Sequence, residues 1–401
     1  MRVFGSAMVY PYISLYLKNV LGIGYAEIGA LILLVGVFPL AVSPFGGMTA
    51  DRVGRRRIFL LSLGGEAASV LLIAISMAHN SIPGVFVGGA GAGVAGSITG
   101  PAISAYVADM APHLSERTLA YTWVRIGVNA GFTVGVALGG SLIGFLGFPD
   151  TGLLASGLVA TATLFLFATL GPSPYDIARA RGETAALGVS APSRPGSFKE
   201  SFRVLGRDKT FLVLCLAGLF TSMVYGHWNT TFPLFSNTVL LVPYGVLGVA
   251  LALNGAMVVF GQNPMTRLMR GRRHTYSAVV AITLMGVSFL ALGGISLVSG
   301  AAVVAVFTFV VILTLGENFG AIPGMTLPSN VAPATEIGSY NGVFNLIGGI
   351  GNSLSPFVGG LVLSATTDPL LVWVVLALPC VPAILLFQWV GRRIPAAANT
   401  V

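Results

Sequence analysis

The stretch FGGMTADRVGRRRIFLL, residues 45–61, places one acid and four arginines between apolar residues. Charged residues make up only 8% of the 401-residue chain, whereas about a quarter is usual in soluble globular domains. A basic cluster between two long apolar runs is typical of a cytoplasmic loop in a membrane protein. The stretch therefore predicts a loop between two membrane spans.

The apolar runs around this loop are long enough to cross a bilayer, which takes about 20 residues of helix. None of them alternates apolar and polar residues at period two, so helices are predicted rather than a transmembrane β-barrel. The chain divides into about twelve predicted spans, at residues 3–20, 25–45, 57–78, 83–109, 118–144, 151–171, 209–235, 243–265, 275–297, 300–326, 338–364 and 369–390.

A polar, proline-containing segment at residues 172–208 separates six spans from six. The predicted fold is an all-α integral membrane protein, with an N-terminal six-helix bundle at 1–171, a central linker at 172–208 and a C-terminal bundle at 209–401. Residues 108–142 and 329–362 both run from an Ala-Pro loop into a glycine-spaced helix that ends in Gly-Gly. Parallel repeats of this kind predict two pseudo-symmetric bundles, with a solute pathway near their common axis.

The basic residues predict the orientation of the chain. They cluster after the second, fourth, eighth and twelfth spans and in the linker, whereas the opposite connections hold only Lys18. Both termini and the linker are therefore expected in the cytoplasm, and the protein in a prokaryotic cell (inner) membrane. Because the net charge of +8 is spread over loops and forms no single face, the lipid bilayer and not a nucleic acid is the expected partner.

Several chemistries are excluded by context. The pattern GAGVAG, residues 91–96, matches a dinucleotide fingerprint but lies inside an apolar span, so no cofactor is expected. Cys215 and Cys380 match no metal or redox spacing. No catalytic constellation and no ATP-binding loop is present, so an enzyme is not predicted. No cleavable signal peptide is expected either, and the short first span suggests that a few N-terminal residues are missing.

The opening stretch carries a resemblance to a family. GGMTADRVGRRR resembles the loop 2–3 signature of the major facilitator superfamily, at Gly47, Asp51, Arg52, Gly54, Arg55 and Arg56. The resemblance implies a gate, in which Asp51 contacts the N-terminus of span eleven. Arg55 would pair with Asp109, the acid that closes span four. The corresponding loop in the second half of the chain is LMRGRRH, residues 268–274. It has Leu268 in place of the acid, so the gate is expected to be asymmetric.

Span five carries a glycine every fourth residue, at Gly127, Gly131, Gly135 and Gly139. This spacing lines one helix face with hydrogen and allows close helix contact. Antiporters of the family have a Gly-Pro pair in this motif, and here Val136 stands at the position of the proline. Ordinary small-residue packing and an antiporter motif both remain open.

Ionisable residues inside spans are few, and each is a candidate for function. Glu317 lies deep in span ten, where desolvation favours an uncharged carboxyl, so it is the preferred proton-coupling residue. Glu66 and His227 are further candidates, although a structural role is favoured for Glu66. Alternatively, Glu317 is a structural carboxyl bonded to a neighbouring helix.

A second set of residues is predicted to line a substrate cavity that is mainly apolar. Arg125 could face an anionic substrate, although pairing with Asp109 or Glu66 is preferred. Trp228 could equally belong to an aromatic belt at the membrane interface. The other members of the set are Asn129, Tyr225, Asn318, Asn345 and Asn352.

These features together predict a secondary transporter of the major facilitator type, working by alternating access. It resembles the twelve-span drug/proton antiporters, which implies proton-coupled efflux of small amphipathic or drug-like compounds by a monomer. The alternatives are uptake or facilitated exchange of an organic metabolite or anion, and a non-transporting membrane sensor or scaffold.

Overall fold

The computed structural model describes residues 2–111, 113–181, 208–333 and 336–400, without the side chains of residues 43–52, 114, 115, 117, 118, 179 and 397. Its described part contains fifteen α-helices. They are α1 (Arg2–Ala7), α2 (Ile13–Asn19), α3 (Tyr25–Val53), α4 (Arg55–Ala78), α5 (Ile82–Met110), α6 (Leu114–Thr169), α7 (Pro174–Ala180), α8 (Lys209–Gly226), α9 (Thr231–Thr238), α10 (Tyr244–Met269), α11 (His274–Ile295), α12 (Ala302–Val331), α13 (Ile337–Ala365), α14 (Pro369–Ala377) and α15 (Cys380–Arg393).

Over the described residues, ten helical segments are long and apolar enough to cross a membrane. The all-α integral membrane fold is thereby confirmed, but the predicted number of twelve spans is not. The first predicted span is interrupted by a 3-10 turn at Tyr10–Tyr12, because Pro11 has no N–H to continue a helix. The fifth and sixth predicted spans lie in one helical segment, α6, which consists of two helices that meet at a kink at Gly147 (φ 81°).

The packing divides the chain into two compact units. The first contains Met1–Tyr12 and Leu34–Gly196, and the second contains Ile13–Leu33 and Ser197–Val401. The predicted bundle boundaries at 171 and 209 stay a prediction. Helix α3 contributes its beginning to the second unit and, from Leu34 onwards, the remainder to the first.

Segment 13–33 is tied to the second unit by polar side chains. The Asn19 amide donates to Asn237 Oδ1 at 2.6 Å and to the Tyr244 hydroxyl at 2.7 Å. The Ala26 N–H donates to Ser364 Oγ at 3.0 Å. These bonds join α2 and the start of α3 to helices α9, α10 and α13.

In the first unit, the glycine stripe of α6 lies against α1. A Cβ at Gly135 would collide with the Phe4 carbonyl oxygen, and one at Gly139 would collide with the Met8 backbone. Gly131 is also close to Phe4, whereas Gly127 has open space where a Cβ would be. Three of the four glycines therefore lie at a close contact between helices, in agreement with the packing interpretation.

Candidate functional site

Glu317 lies on α12 beside a cavity of about 330 Å³ in the second unit. Helix α12 packs closely on α11. A Cβ added at Gly316 would lie only 2.8 Å from the Ala281 carbonyl oxygen. The cavity lies between these helices and α8, and Phe344 of α13 and Phe387 of α15 complete its wall. Glu317 is the single charged residue among the described residues that line it.

Two helices donate hydrogen bonds to the Glu317 carboxylate. The Tyr225 hydroxyl, on α8, donates to Oε1 at 3.2 Å. The Asn254 amide, on α10, donates to Oε2 at 2.8 Å and also to Thr314 Oγ1 at 3.0 Å. Asn254 is only 5% exposed and its bond to Thr314 is buried, whereas the two bonds to Glu317 are partly buried. Both carboxylate oxygens therefore have a donor from another helix.

The remaining cavity wall is mostly apolar. Thr221 and Ser222 add hydroxyl groups on α8. The other lining residues are small or apolar, namely Leu214, Gly218, Ala278, Ala281, Ile282, Met285, Gly320, Ala321, Pro323, Gly324, Leu327, Phe344 and Phe387. Such a surface suits a compound with a sizeable apolar part and few polar groups.

His227 and Trp228 lie in an aromatic cluster instead of the cavity wall. Trp228 stacks on Phe232 with ring centroids 5.3 Å apart, and the His227 ring meets Phe289 edge-on at 6.0 Å. His227 is fully buried, and its Nδ1 lies 3.0 Å from Thr231 Oγ1. Both side chains are therefore packed in the core of the second unit.

Glu66 is buried in the first unit and forms an ion pair with Arg2. The Ser6 hydroxyl donates to its other oxygen at 2.7 Å. Arg2 and Ser6 belong to α1, 60 or more residues from Glu66 along the chain. This geometry fits the structural role favoured for Glu66, with a partner that the sequence did not indicate. Arg125 is exposed on α6, and its predicted pairing stays a prediction.

Arg55 and Asp109 form an ion pair in the first unit. Ser173 Oγ donates to the second Asp109 oxygen at 2.8 Å, and the Arg55 guanidinium lies over the Tyr175 ring at 4.2 Å. Gly47 lies in α3, and the side chains of Asp51 and Arg52 are outside the described part of the structure, so the gate contacts of these residues stay predictions.

A single residue, Gly54, connects α3 and α4. Its φ of 111° is strained for any residue with a side chain, which explains the glycine in the signature. Gly54 also has no side chain to cap α4. Asp176, on α7, takes that place: it accepts from the Arg55 N–H at 2.8 Å and from the Arg56 N–H at 3.1 Å.

The second unit repeats this arrangement at α11. Gly271 has a φ of 77° in the preceding turn, and the N-cap residue Arg273 makes no side-chain cap bond. Asn399, near the end of the chain, accepts from the His274 N–H at 2.6 Å through its carbonyl and from the Thr275 N–H at 3.0 Å through Oδ1. In both units, therefore, a polar residue beyond the last long helix caps the helix that follows the arginine-rich turn.

The predicted asparagines do not gather around the cavity. Asn318 is buried and donates to the Met257 carbonyl at 3.2 Å, which joins α12 to α10. Asn129 and Asn352 are half-buried, and Asn345 is exposed. Of the residues predicted to line a substrate cavity, Tyr225 is the one that the structure brings beside Glu317.

Sequence reasoning missed Asn254, Asp176 and Asn399. Asn254 could have been found, since an asparagine in the apolar run ALALNGAMVV must find a hydrogen-bond partner in the membrane. Asp176 and Asn399 follow the last spans of their halves and carry no signal in isolation.

The sequence of the chain also matches a known family. The sequence model of the Major Facilitator Superfamily matches residues 1–356. A Na(+), Li(+), K(+)/H(+) antiporter of Planococcus maritimus is 24% identical over 371 residues, 87% of this chain and 84% of the antiporter. Multidrug resistance protein 2 of Bacillus subtilis (strain 168) is 29% identical over 160 residues, 40% of this chain and 39% of that protein.

Solved structures show the same fold. A POT family transporter, crystallised in complex with a thioalcohol conjugated peptide, superposes with a TM-score of 0.77 over 97% of this chain and 92% of the transporter. The two sequences are 14% identical, so the likeness concerns the fold alone.

Proposed function

Because the chain belongs to the major facilitator superfamily, we propose that it is a proton-coupled transporter that exports small amphipathic compounds by alternating access. It is an integral membrane transporter and not an enzyme. In this proposal it works as a monomer, with both termini in the cytoplasm and the Arg55–Asp109 pair as part of a cytoplasmic gate.

The observation that carries the proposal is the Glu317 carboxyl beside an apolar cavity. Its two oxygens accept hydrogen bonds from Tyr225 and Asn254, and the rest of the wall is mostly apolar. A carboxyl that borders a cavity can exchange a proton when the access of that cavity to water changes. An intramembrane acid with this freedom is what proton coupling requires.

The substrate class is proposed from the cavity wall. Its volume of about 330 Å³ and its aromatic and aliphatic residues fit a small compound with an apolar body. Thr221, Ser222 and Tyr225 offer hydrogen bonds to a few polar groups. The similarity to a multidrug resistance protein supports the same class.

A second candidate function is exchange of monovalent metal cations for protons. It is favoured by the similarity to a Na(+), Li(+), K(+)/H(+) antiporter over most of both chains. Glu317 would then serve cations and protons in turn.

The test is proton movement in proteoliposomes. Amphipathic compounds, Na⁺ and K⁺ are added separately, and proton flux is followed with a pH-sensitive dye. We expect flux with amphipathic compounds for the wild type and for Glu116→Gln, an exposed acid in the other unit, and its loss in Glu317→Gln. Flux driven only by Na⁺ or K⁺ would favour the second candidate. Substrate-driven proton flux that persists in Glu317→Gln would contradict Glu317 as the coupling residue.

A further inference from the structure

One end of the second unit is rich in exposed arginines. Arg272 and Arg273 directly precede α11, and Arg392 and Arg393 are the last two residues of α15. All four side chains are exposed, and we call these four residues the arginine patch. Helices α11 and α15 both belong to candidate membrane spans, so the patch lies at the point where these spans end.

A close helix contact brings the two pairs of arginines to the same end. A Cβ added at Gly391 would lie 2.6 Å from Thr275 Oγ1, so the end of α15 lies against the start of α11. A Cβ added at Gly286 of α11 would lie 3.3 Å from Cys380 Sγ, at the start of α15. The two helices therefore run side by side in opposite directions, and the arginine patch belongs to both.

The first unit binds its corresponding arginines internally. Arg55 and Arg56 stand where the second turn has Arg272 and Arg273. Arg55 pairs with Asp109, and the Arg56 guanidinium donates to two backbone carbonyls in the last turn of α6 and just after it. The charge of these two arginines is therefore used within the protein.

The arginine patch has no such partners in the part of the chain that the structure describes. Its four side chains form no ion pair and no hydrogen bond there. The segment that follows α15, IPAAANT at residues 394–400, contains no acid. The positive charge of the patch is therefore available to an anion from outside the chain.

Two guanidinium groups of the patch lie over exposed aromatic rings. Arg272 is 5.6 Å from the centre of the Tyr276 ring, and Arg393 is 5.1 Å from the centre of the Trp389 ring. Tyrosine and tryptophan are enriched where a membrane meets water. A guanidinium that rests on such a ring has part of its orientation fixed before it meets a ligand.

The exposed face of α15 continues from the patch as an apolar row. In steps of four residues from Arg393 lie Trp389, Leu385 and Val381, which share one face of the helix. Leu385 is 59% exposed and Val381 is 57% exposed. An arginine cluster at the end of an exposed apolar row matches a molecule with an anionic head and a long apolar chain.

We infer that the arginine patch binds the phosphate headgroup of an anionic phospholipid, whose acyl chains lie along the exposed face of α15. Guanidinium groups bind phosphate through two parallel N–H bonds, and basic pockets between membrane helices bind anionic headgroups. A free phosphate would meet the arginines but leave the apolar row unused. The inference concerns the surface of the second unit and does not depend on the proposed transport function.

The experiment is fluorescence quenching of the full chain in phosphatidylcholine nanodiscs. A small fraction of the lipid is phosphatidylglycerol or phosphatidylcholine with a nitroxide label high on one acyl chain. We expect phosphatidylglycerol to quench tryptophan more strongly than phosphatidylcholine, and this excess to disappear in Trp389→Phe. In Arg272→Gln/Arg393→Gln, the mole fraction of phosphatidylglycerol that gives half of the excess should rise about fivefold for each arginine removed.

A matched control removes the same charge elsewhere. Arg57 and Arg181 are exposed arginines of the first unit, and the excess in Arg57→Gln/Arg181→Gln should equal that of the wild type. Arg272→Lys/Arg393→Lys keeps the charge of the patch. It should weaken binding less than the glutamine variant, although lysine cannot form the two parallel bonds.

Several results would overturn the inference. Equal quenching by the two labelled lipids would do so, as would an excess that persists in Trp389→Phe or in Arg272→Gln/Arg393→Gln. An equal loss in the control variant would show attraction to positive charge in general and no site. Inorganic phosphate, exchanged for chloride at constant ionic strength, should leave the excess unchanged, and its removal by phosphate would assign the arginines to a free phosphate instead.

Discussion

At the scale of single residues, Glu66 and Glu317 show how surroundings assign roles to the same type of side chain. Glu66 is 4% exposed and pairs with Arg2, a cation on a neighbouring helix. Glu317 borders a cavity and is held by two uncharged donors, Tyr225 and Asn254. The two carboxylates therefore differ in their surroundings: a cation and a hydroxyl hold Glu66 inside the first unit, whereas Glu317 reaches the wall of a cavity.

This contrast predicts the behaviour of variants at the Arg2–Glu66 pair. Arg2→Met leaves the Glu66 carboxylate without its cation, and we expect the free energy of unfolding to fall by about 1–3 kcal/mol, less than for a fully buried pair because Arg2 is partly exposed. The double variant Arg2→Met/Glu66→Gln should regain part of this loss. Thermal unfolding in detergent measures both. If Glu66→Gln instead shifted the pH dependence of transport, Glu66 and not only Glu317 would take part in coupling.

At the scale of elements, the two arginine-rich turns are built alike. Each contains a glycine with positive φ, Gly54 or Gly271, and each is followed by a helix whose first N–H groups are capped from a distance. Asp176 caps α4 and Asn399 caps α11. The N-terminus of a helix carries a partial positive charge, so the carboxylate of Asp176 gains more there than the amide of Asn399.

The capping contacts predict graded losses of stability. Asp176→Ala removes the acceptor of two N–H groups of α4 and of the Ser173 N–H, and it should lower the free energy of unfolding by about 1–2 kcal/mol. Asp176→Asn keeps one acceptor oxygen and should lose less. Asn399→Ala should cost about 1 kcal/mol, since the Asn399 backbone carbonyl still accepts from His274. Thermal unfolding of the three variants tests this order, and equal stability of Asp176→Ala and wild type would show that the cap contributes nothing.

At the scale of the whole molecule, segment 13–33 links the packing to the proposed mechanism. It is packed within the second unit, while α3 continues from Leu34 into the first. A Cβ at Gly29 would collide with the Pro356 carbonyl, so the start of α3 touches α13 with its backbone. If the units change their arrangement during transport, as we propose, this segment must separate from the second unit or α3 must bend.

We expect segment 13–33 to separate from the rest of the second unit during the cycle, so a cross-link across this contact should stop transport. Asn19 and Asn237 share a hydrogen bond and are partly or fully exposed, whereas the native Cys215 and Cys380 are buried. We expect Asn19→Cys/Asn237→Cys to lose substrate flux after treatment with a short reducible thiol cross-linker and to recover it on reduction. Each single cysteine variant is the control. Full flux in the cross-linked protein would show that the segment stays in place throughout the cycle.

The sequence by itself determined the membrane fold and the arginine-rich turns. Long apolar runs must become helices in lipid because their backbone groups have no water to bind, and the glycine in DRVGRRR is required by a one-residue turn with positive φ. Glu317 could be selected as well, because an acid inside an apolar run is rare enough to stand out.

Only the tertiary structure decided which side chains meet. Glu66 pairs with Arg2, which is 64 residues away along the chain. Glu317 accepts a hydrogen bond from Asn254, which is 63 residues away. Most residues of the long helices are apolar, and apolar side chains can face either lipid or a neighbouring helix. The sequence pattern therefore does not reveal the rotation of each helix, and packing alone placed His227 among aromatic rings and Tyr225 beside Glu317.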